Sequence, residues 1–169
     1  MIIKGGKERS DSSLIALKYI KKFNPDNVLI HDAARPNFTI SLLKKLINSL
    51  KKNKAAIPVV SSKDSIKYKV KKQLYNLNRS NSYLTQTPQA FKFKEIYDLS
   101  IRQKSKIQDE ATLFIDNNLK RKSYVYLVHH TSYDNSKNEG LRISVSEKKF
   151  SEKTGSKWEK IHFAFCEPQ

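Results

Sequence analysis

VLIHDAARP, residues 28–36, begins with three apolar residues that are followed directly by a histidine and an aspartate, and an arginine stands three residues after the aspartate. In open α/β sheets ligands bind at the carboxyl ends of the strands, so a strand that ends in this way presents charge to a ligand. Asp32 is suited to a metal ion or a sugar hydroxyl, and the planar guanidinium of Arg35 is suited to phosphate. The alternative is a solvated strand-to-helix turn, which this segment alone does not exclude.

The hydrophobic pattern around this segment alternates between helices and short buried strands. Apolar residues at helical spacing predict four helices: 12–23, one that opens at Thr39 or Ser41, 94–103 and 109–117. Asp11 and Ser12 are the candidate caps of the first helix. Continuous apolar runs predict buried strands over 27–30, 55–60 and 124–128. Strands that alternate with helices indicate an α/β fold.

Residues 61–84 follow a different pattern. Ile66, Tyr68 and Val70 alternate with lysines, which predicts a two-faced hairpin. Such a hairpin has unpaired edges and is too small to be stable alone, so it is a poor element in a monomer.

The composition indicates a single cytoplasmic domain. The chain has 169 residues and a formal net charge of +17. Its lysines are scattered and do not form a stripe interleaved with aromatic residues, so we do not expect nucleic acid as a partner. No apolar stretch is long enough to cross a membrane, the first residues lack the core of a signal peptide, and Cys166 is the single cysteine.

Several motifs follow one another in a fixed order. They are GGKERSDSS (5–13), HDAARP (31–36), DSIK (64–67), Asn78-Arg79, TQTPQAF (85–91) and DEA (109–111). In this order they resemble the 2-C-methyl-D-erythritol 4-phosphate cytidylyltransferases of the non-mevalonate isoprenoid pathway, from Ile2 to about Lys137. Pentitol-phosphate cytidylyltransferases are the alternative, but they usually carry a bulkier residue where Ala34 stands.

The resemblance implies a three-layer Rossmann-like nucleotidyltransferase sheet. Residues 61–84 are then the projecting β-arm that clasps the arm of a second subunit, which gives a homodimer. We expect a cytidylyltransferase-like domain over 1–137 and a divergent tail over 138–169, for which disorder is one alternative. Met1 aligns near the third strand of the family, so we expect the first βαβ segment and its glycine-rich loop to be missing.

The reaction implied is cytidylyl transfer from CTP to methylerythritol phosphate, with Mg²⁺ bridging the triphosphate. No covalent intermediate is needed, so the residues expected are arginines, lysines, hydroxyls and one carboxylate beside the metal. Because the glycine-rich loop is expected to be missing, the alternative is a dimerisation or binding module of the same fold without catalysis.

The resemblance also assigns site residues. The nucleotide would contact Gly6, Lys7, Ser12, Asp32 and Ala33. The sugar phosphate would contact Asp32, Arg35, Ser65, Arg79, Thr87 and Gln108. Arg79 and Lys137 would be catalytic by orienting the attacking phosphate, and Asp32 would lie beside the metal.

Several of these residues have structural alternatives or depart from the family. Ser12 is equally suited to capping a helix, and Arg79 to being a surface cation. Lys7 stands where the family often has a carboxylate, and its donor cannot replace an acceptor. Gln108 replaces a usual threonine and keeps a donor on a longer side chain.

Overall fold

The computed structural model describes residues 2–35, 38–103, 106–121, 125–129 and 161–166, with the backbone alone for 117–121 and 161–166. The helices are α1 (Arg9–Ile20), α2 (Ile40–Ser49), α3 (Phe93–Arg102) and α4 (Glu110–Arg121). The strands are β1 (Asn27–Asp32), β2 (Ala55–Ser61), β3 (Ile66–Val70), β4 (Gln73–Leu77), β5 (Tyr83–Thr85), β6 (Gln89–Lys92), β7 (Val125–His129) and β8 (Ile161–Cys166). The predicted alternation of helices and strands is confirmed.

Six of the described strands form one mixed sheet, in the order β5-β2-β6-β1-β8, with β7 also paired to β2. β6 runs antiparallel to both β1 and β2, so these two strands point the same way. β5 pairs with the end of β2, where Thr85 lies opposite Val59, and β6 pairs with its beginning, where Ala90 lies opposite Ala56. The segment between β5 and β6 therefore reaches the carboxyl end of β1.

Helices cover both faces of this sheet. One buried cluster joins residues of α1, α3 and α4 to the sheet: Leu17, Ile20, Ile96, Leu113 and Phe114 against Val28, Ile30 and Phe91. On the other face the apolar stripe of α2, formed by Leu42, Leu43, Leu46 and Leu50, packs on Leu29, Ala56 and Ala90. The three-layer arrangement predicted from the resemblance is confirmed. None of the helices in the described part of the chain is both long and apolar enough to span a bilayer.

The first helix begins three residues earlier than predicted. The Glu8 backbone N–H donates to Asp11 Oδ2 at 3.2 Å, and the Glu8 side chain accepts from the Asp11 backbone in return. With this reciprocal capping box the helix begins at Arg9, and Ser12 lies inside its first turn. Ser12 is thus not the cap, whereas Thr39 does cap α2 by accepting from Leu42 N–H at 3.1 Å.

The predicted hairpin is confirmed as a separate two-stranded sheet of β3 and β4. Its turn follows Val70, which lies opposite Gln73, and Lys71 there takes a positive φ of 53°. Tyr68 and Tyr75 stack at 5.2 Å between ring centroids. The dimer contact itself stays a prediction.

Within the predicted tail 138–169, the described residues are 161–166. Their backbone forms β8, parallel to β1, with Asn27 opposite Ile161 and Asp32 opposite Cys166. The position of this stretch could not be predicted, because an apolar run carries no indication of the strand beside which it lies. Lys137 and the rest of the tail lie outside the described residues.

Candidate functional site

A cavity of about 450 Å³ opens at the carboxyl end of β1. Its walls come from the beginning of α1, the turn after β1, the segment that joins β5 to β6 and the residues before α4. The lining residues are Arg9, Asp32, Ala34, Arg35, Thr85, Gln86, Thr87, Gln89, Gln108 and Asp109. Two arginines and two aspartates thus converge on one site.

Asp32 lies between the two arginines of the cavity. Its Oδ1 accepts from Arg9 Nε at 3.1 Å, and its Oδ2 lies 3.4 Å from Arg35 Nε. Arg35 is the more exposed of the two, with 48% of its side chain accessible against 23% for Arg9. The carboxylate is therefore held firmly on one side and loosely on the other.

Arg9 also reaches the first residue of α4. Its Nη1 donates to Glu110 Oε2 at 2.7 Å, and Glu110 is almost completely buried. Burial alone would lower the pKa of Arg9. The carboxylates of Glu110 and Asp32 have the larger combined effect, so the pKa of Arg9 is raised. The guanidinium is thus a permanent cation that links β1 to α4.

The turn after β1 is fixed by its own backbone. The Arg35 N–H donates to the Asp32 carbonyl at 3.0 Å, and His31 Nε2 lies 2.6 Å from the Arg35 carbonyl. The Arg35 side chain reaches the facing segment, where Nη1 donates to Gln86 Oε1 at 2.8 Å. The same segment supplies Thr87, whose Oγ1 accepts from the Asp32 N–H, and its Thr87–Pro88 bond is cis.

Asp109 organises the opposite wall. Its Oδ1 accepts from the Thr112 backbone at 3.1 Å and from the Thr112 hydroxyl at 3.0 Å, which caps α4. Its Oδ2 accepts from Gln89 Nε2 at 3.0 Å, and Gln89 Oε1 accepts in turn from the Ala111 N–H. Oδ2 also accepts from the Thr85 hydroxyl at 3.4 Å, so the end of β5, the start of β6 and the start of α4 are joined through one carboxylate.

Comparison with known proteins identifies the family of the chain that forms this cavity. The family profile for 2-C-methyl-D-erythritol 4-phosphate cytidylyltransferase matches residues 1–122. The chain belongs to this cytidylyltransferase family. The resemblance inferred from the order of the motifs is confirmed.

Individual relatives agree with this assignment. The chain is 48% identical to the bifunctional enzyme IspD/IspF of Pelagibacter ubique (strain HTCC1062) over 114 residues, 68% of this chain and 31% of that protein. It is 45% identical to the 2-C-methyl-D-erythritol 4-phosphate cytidylyltransferase of Caldicellulosiruptor saccharolyticus (strain ATCC 43494 / DSM 8903 / Tp8T 6331) over 94 residues, 55% of this chain and 42% of that protein. The chain therefore spans less than half the length of these two relatives.

A solved structure agrees as well. The crystal structure of 4-diphosphocytidyl-2C-methyl-D-erythritol synthase from Anaerococcus prevotii DSM 20548 matches the chain with a TM-score of 0.69 and 34% identity. The match covers 76% of this chain and 60% of that chain. The cytidylyltransferase fold assigned from the sequence is thus found in a homologous structure.

Four residues that the cytidylyltransferase resemblance assigned to the sugar phosphate do line the cavity: Asp32, Arg35, Thr87 and Gln108. The other two are on the arm. Ser65 Oγ accepts from Lys67 Nζ at 3.2 Å, and Arg79 Nη1 donates to the Lys63 carbonyl at 3.3 Å. Neither lines the cavity of this chain, so their roles stay predictions that depend on a second subunit.

Of the residues assigned to the nucleotide, only Asp32 lines the cavity within the described part of the chain. Gly6 is held by its N–H donating to Ser12 Oγ at 3.0 Å. A Cβ at Gly6 would lie 2.3 Å from the Asp11 Cβ, so glycine is required for this close approach. Lys7 is exposed, and Ala34, the residue after Ala33, lines the cavity.

Six lining residues were not assigned from the cytidylyltransferase resemblance: Arg9, Ala34, Thr85, Gln86, Gln89 and Asp109. All six belong to the quoted motifs GGKERSDSS, HDAARP, TQTPQAF and DEA. The signal was therefore present, but motif membership does not tell which side chain faces the ligand and which faces the protein.

Asp32 is a suitable residue for a metal that arrives with a nucleotide. Within the described part of the chain, no group of three or more His, Cys, Asp or Glu side chains lies together as a metal site would require. Mg²⁺ commonly uses one or two protein carboxylates and takes its remaining ligands from substrate phosphates and water. The residues present fit an ion of this kind and do not form a cage of their own.

Proposed function

We propose that this chain carries out cytidylyl transfer from CTP to 2-C-methyl-D-erythritol 4-phosphate, which gives 4-diphosphocytidyl-2-C-methyl-D-erythritol and pyrophosphate. The observation that carries the proposal is the convergence of Asp32, Arg35, Thr87 and Gln108 on one cavity. Asp32 and Arg35 belong to HDAARP, Thr87 belongs to TQTPQAF, and Gln108 directly precedes DEA. Family membership and this convergence support the same reaction.

The reaction requires that the two substrates are positioned against each other and that the negative charge of their phosphates is neutralised. A phosphate oxygen of the acceptor attacks the α-phosphorus of CTP, the bond from that phosphorus to the bridging oxygen breaks, and pyrophosphate leaves with the oxygen. The reaction needs no protein nucleophile, so fixed cations carry most of the catalysis. Arg35, half-exposed and joined to Gln86, is placed to bind the acceptor phosphate.

The nucleotide is proposed to bind as its Mg²⁺ complex on the side of Asp32. The bound ion would neutralise the triphosphate and activate the leaving pyrophosphate. Asp32 would contact the ion or the ribose, while Gly6, Lys7, Ser12 and Ala33 would surround the base and ribose.

A homodimer through the arm is part of the proposal. The hairpin of β3 and β4 exposes apolar side chains: Tyr68, Val70, Leu74, Tyr75 and Leu77. A second arm would cover this surface and would bring Ser65 and Arg79 of each chain to the cavity of its partner. Arg79 and Lys137 would then orient the attacking phosphate. The cytoplasmic location expected from the sequence also belongs to this proposal.

The proposal is tested by pyrophosphate release from the purified 169-residue chain with CTP, Mg²⁺ and methylerythritol phosphate. We expect release by the parent chain and a large loss in Arg79→Ala. The matched control is Arg102→Ala, because Arg102 is an exposed arginine of α3 outside the cavity. A folded dimer that binds neither substrate and releases no pyrophosphate would overturn the proposal and favour a dimerisation module.

A further inference from the structure

Glu110 is the most buried charged side chain near the cavity, and the proposed reaction does not use it. It is 1% exposed, and its Oε2 accepts from Arg9 Nη1 at 2.7 Å. Its other oxygen, Oε1, has no hydrogen-bond partner in the described part of the chain. A buried carboxylate is costly unless a cation pairs with it, so Arg9 is the group that makes this burial tolerable.

The pair constrains Arg9 in a particular orientation. A guanidinium is planar, so fixing Nη1 on Glu110 also fixes the direction in which Nε points. Nε points at Asp32 and donates to Oδ1 at 3.1 Å. The carboxylate orientation of Asp32 is therefore set through Arg9 by a residue of α4.

The two oxygens of Asp32 are consequently not equivalent. Oδ1 is committed to Arg9, which is three-quarters buried and fixed at its far end. Oδ2 has the longer contact of 3.4 Å with Arg35, whose side chain is half-exposed and faces the cavity. When a phosphate draws Arg35 away, Oδ2 is the oxygen that becomes available to a ligand.

We propose that Arg9 and Glu110 are positioning residues that turn Asp32 so that Oδ2 faces the ligand. The identity of that ligand as a nucleotide with its metal rests on the proposed function, whereas the orientation of the carboxylate does not. Neither residue needs to touch a substrate for this role. The planar geometry of Arg9 matters more than its charge.

The test compares three variants in pyrophosphate release. Arg9→Lys keeps the charge and loses the planar bridge, and Glu110→Gln keeps the size and loses the charge that anchors Arg9. We expect each to lower kcat/KM for CTP by about tenfold or more. Lys106→Ala is the matched control, because Lys106 pairs with Glu8 at 2.6 Å and joins the same two segments from outside the cavity. Its activity stays within about twofold of the parent, as for other exposed pairs.

A second measurement does not depend on turnover. The Nε–H of Arg9 gives its own signal in ¹⁵N-correlated spectra, and its exchange with water reports the bond to Asp32. We expect slow exchange in the parent and in Lys106→Ala, and exchange about tenfold faster or more in Glu110→Gln and in Asp32→Ala, which lose the anchor and the acceptor.

The outcomes separate the two proposals. If the parent releases no pyrophosphate, the proposed function fails, and the Arg9 signal alone decides the positioning role. Full activity in Arg9→Lys would overturn that role, because charge without geometry would then suffice. Equal exchange of Nε–H in the parent and in Glu110→Gln would overturn it as well, since Glu110 would not hold Arg9 in place.

Discussion

The backbone N–H of Asp32 donates a hydrogen bond of 3.3 Å to Oγ1 of Thr87. Asp32 is the last residue of β1, and Thr87 belongs to the segment between β5 and β6. The bond therefore joins two residues that are 55 positions apart in the chain. Both partners line the cavity, and Thr87 is buried. The Thr87 hydroxyl oxygen is thus directed to the backbone of Asp32.

Thr87→Val is expected to destabilise the fold. Valine has nearly the same shape but offers no acceptor, so the Asp32 N–H loses its partner at a cost of about 1–3 kcal/mol in the free energy of unfolding. Thr87→Ser keeps the acceptor and serves as the matched variant. Urea unfolding of both checks the prediction, and equal stability of the two would contradict it.

Arg35→Ala is expected to weaken use of the acceptor phosphate. If the guanidinium binds that phosphate in the transition state, its loss costs about 3 kcal/mol, or roughly 150-fold in kcat/KM for methylerythritol phosphate. Initial rates of pyrophosphate release measure this value, with Arg102→Ala as the control. A loss below about tenfold would count against a role in phosphate binding.

Leu74→Lys is expected to shift the chain from dimer to monomer. Leu74 is 70% exposed on the free face of the hairpin, so its replacement leaves the fold of one subunit intact while it places a charge in the proposed interface. Sedimentation velocity at several concentrations measures the shift. Lys72→Ala, in the turn of the same hairpin, is the control, and a monomeric parent would refute the dimer directly.

The layers of the fold were predictable because they depend on periodicity. The apolar stripe of α2 and the apolar runs of β1 and β2 indicate which faces are buried. Thr39 could be predicted as a cap because a threonine side chain can accept from a backbone N–H of the first turn. The start of α1 was not found, because the reciprocal bond between Glu8 and Asp11 competes with the equally suitable Ser12.

The cavity was predictable only in part. Asp32 and Arg35 follow an apolar strand, and this position places them at the edge of the sheet. Arg9 and Glu110 are 101 residues apart, and no local pattern indicates that they form a pair. Long-range pairing of charges depends on how α1 and α4 pack together, and this packing is a property of the whole fold.

Asp109→Ala is expected to loosen the start of α4. The Asp109 carboxylate accepts from both the backbone and the hydroxyl of Thr112, and loss of such a cap costs about 0.5–2 kcal/mol. Gln89 loses its acceptor as well, so we expect a value toward the upper end. Urea unfolding measures the change, and Asp116→Ala, an exposed aspartate of the same helix, is the control. Equal effects of the two variants would contradict the capping role.

His31 gives the fold a dependence on pH. It is buried beside Phe38, whose ring meets it edge-on at 4.9 Å between centroids. Burial is the main cause that lowers the pKa of His31 from 6.5 and Arg35 adds to it, while the bond to the Arg35 carbonyl and the charge of Asp32 oppose the shift. The folded chain therefore binds a proton at this position less readily than the unfolded chain does.

The free energy of unfolding is thus expected to fall as the pH drops below 6.5, the ordinary pKa of histidine. In that range the unfolded chain takes up a proton that the folded chain does not. The free energy of unfolding therefore decreases by at most about 1.4 kcal/mol per pH unit because of this one group. Above that pH His31 is neutral in both the folded and the unfolded chain, so the destabilisation is absent. Urea unfolding between about pH 7.5 and 5.5 in the parent and in His31→Gln isolates the effect. The slope becomes smaller in the variant, while His129→Gln, on the exposed side of β7, is the matched histidine control. An unchanged slope in His31→Gln would contradict the assignment.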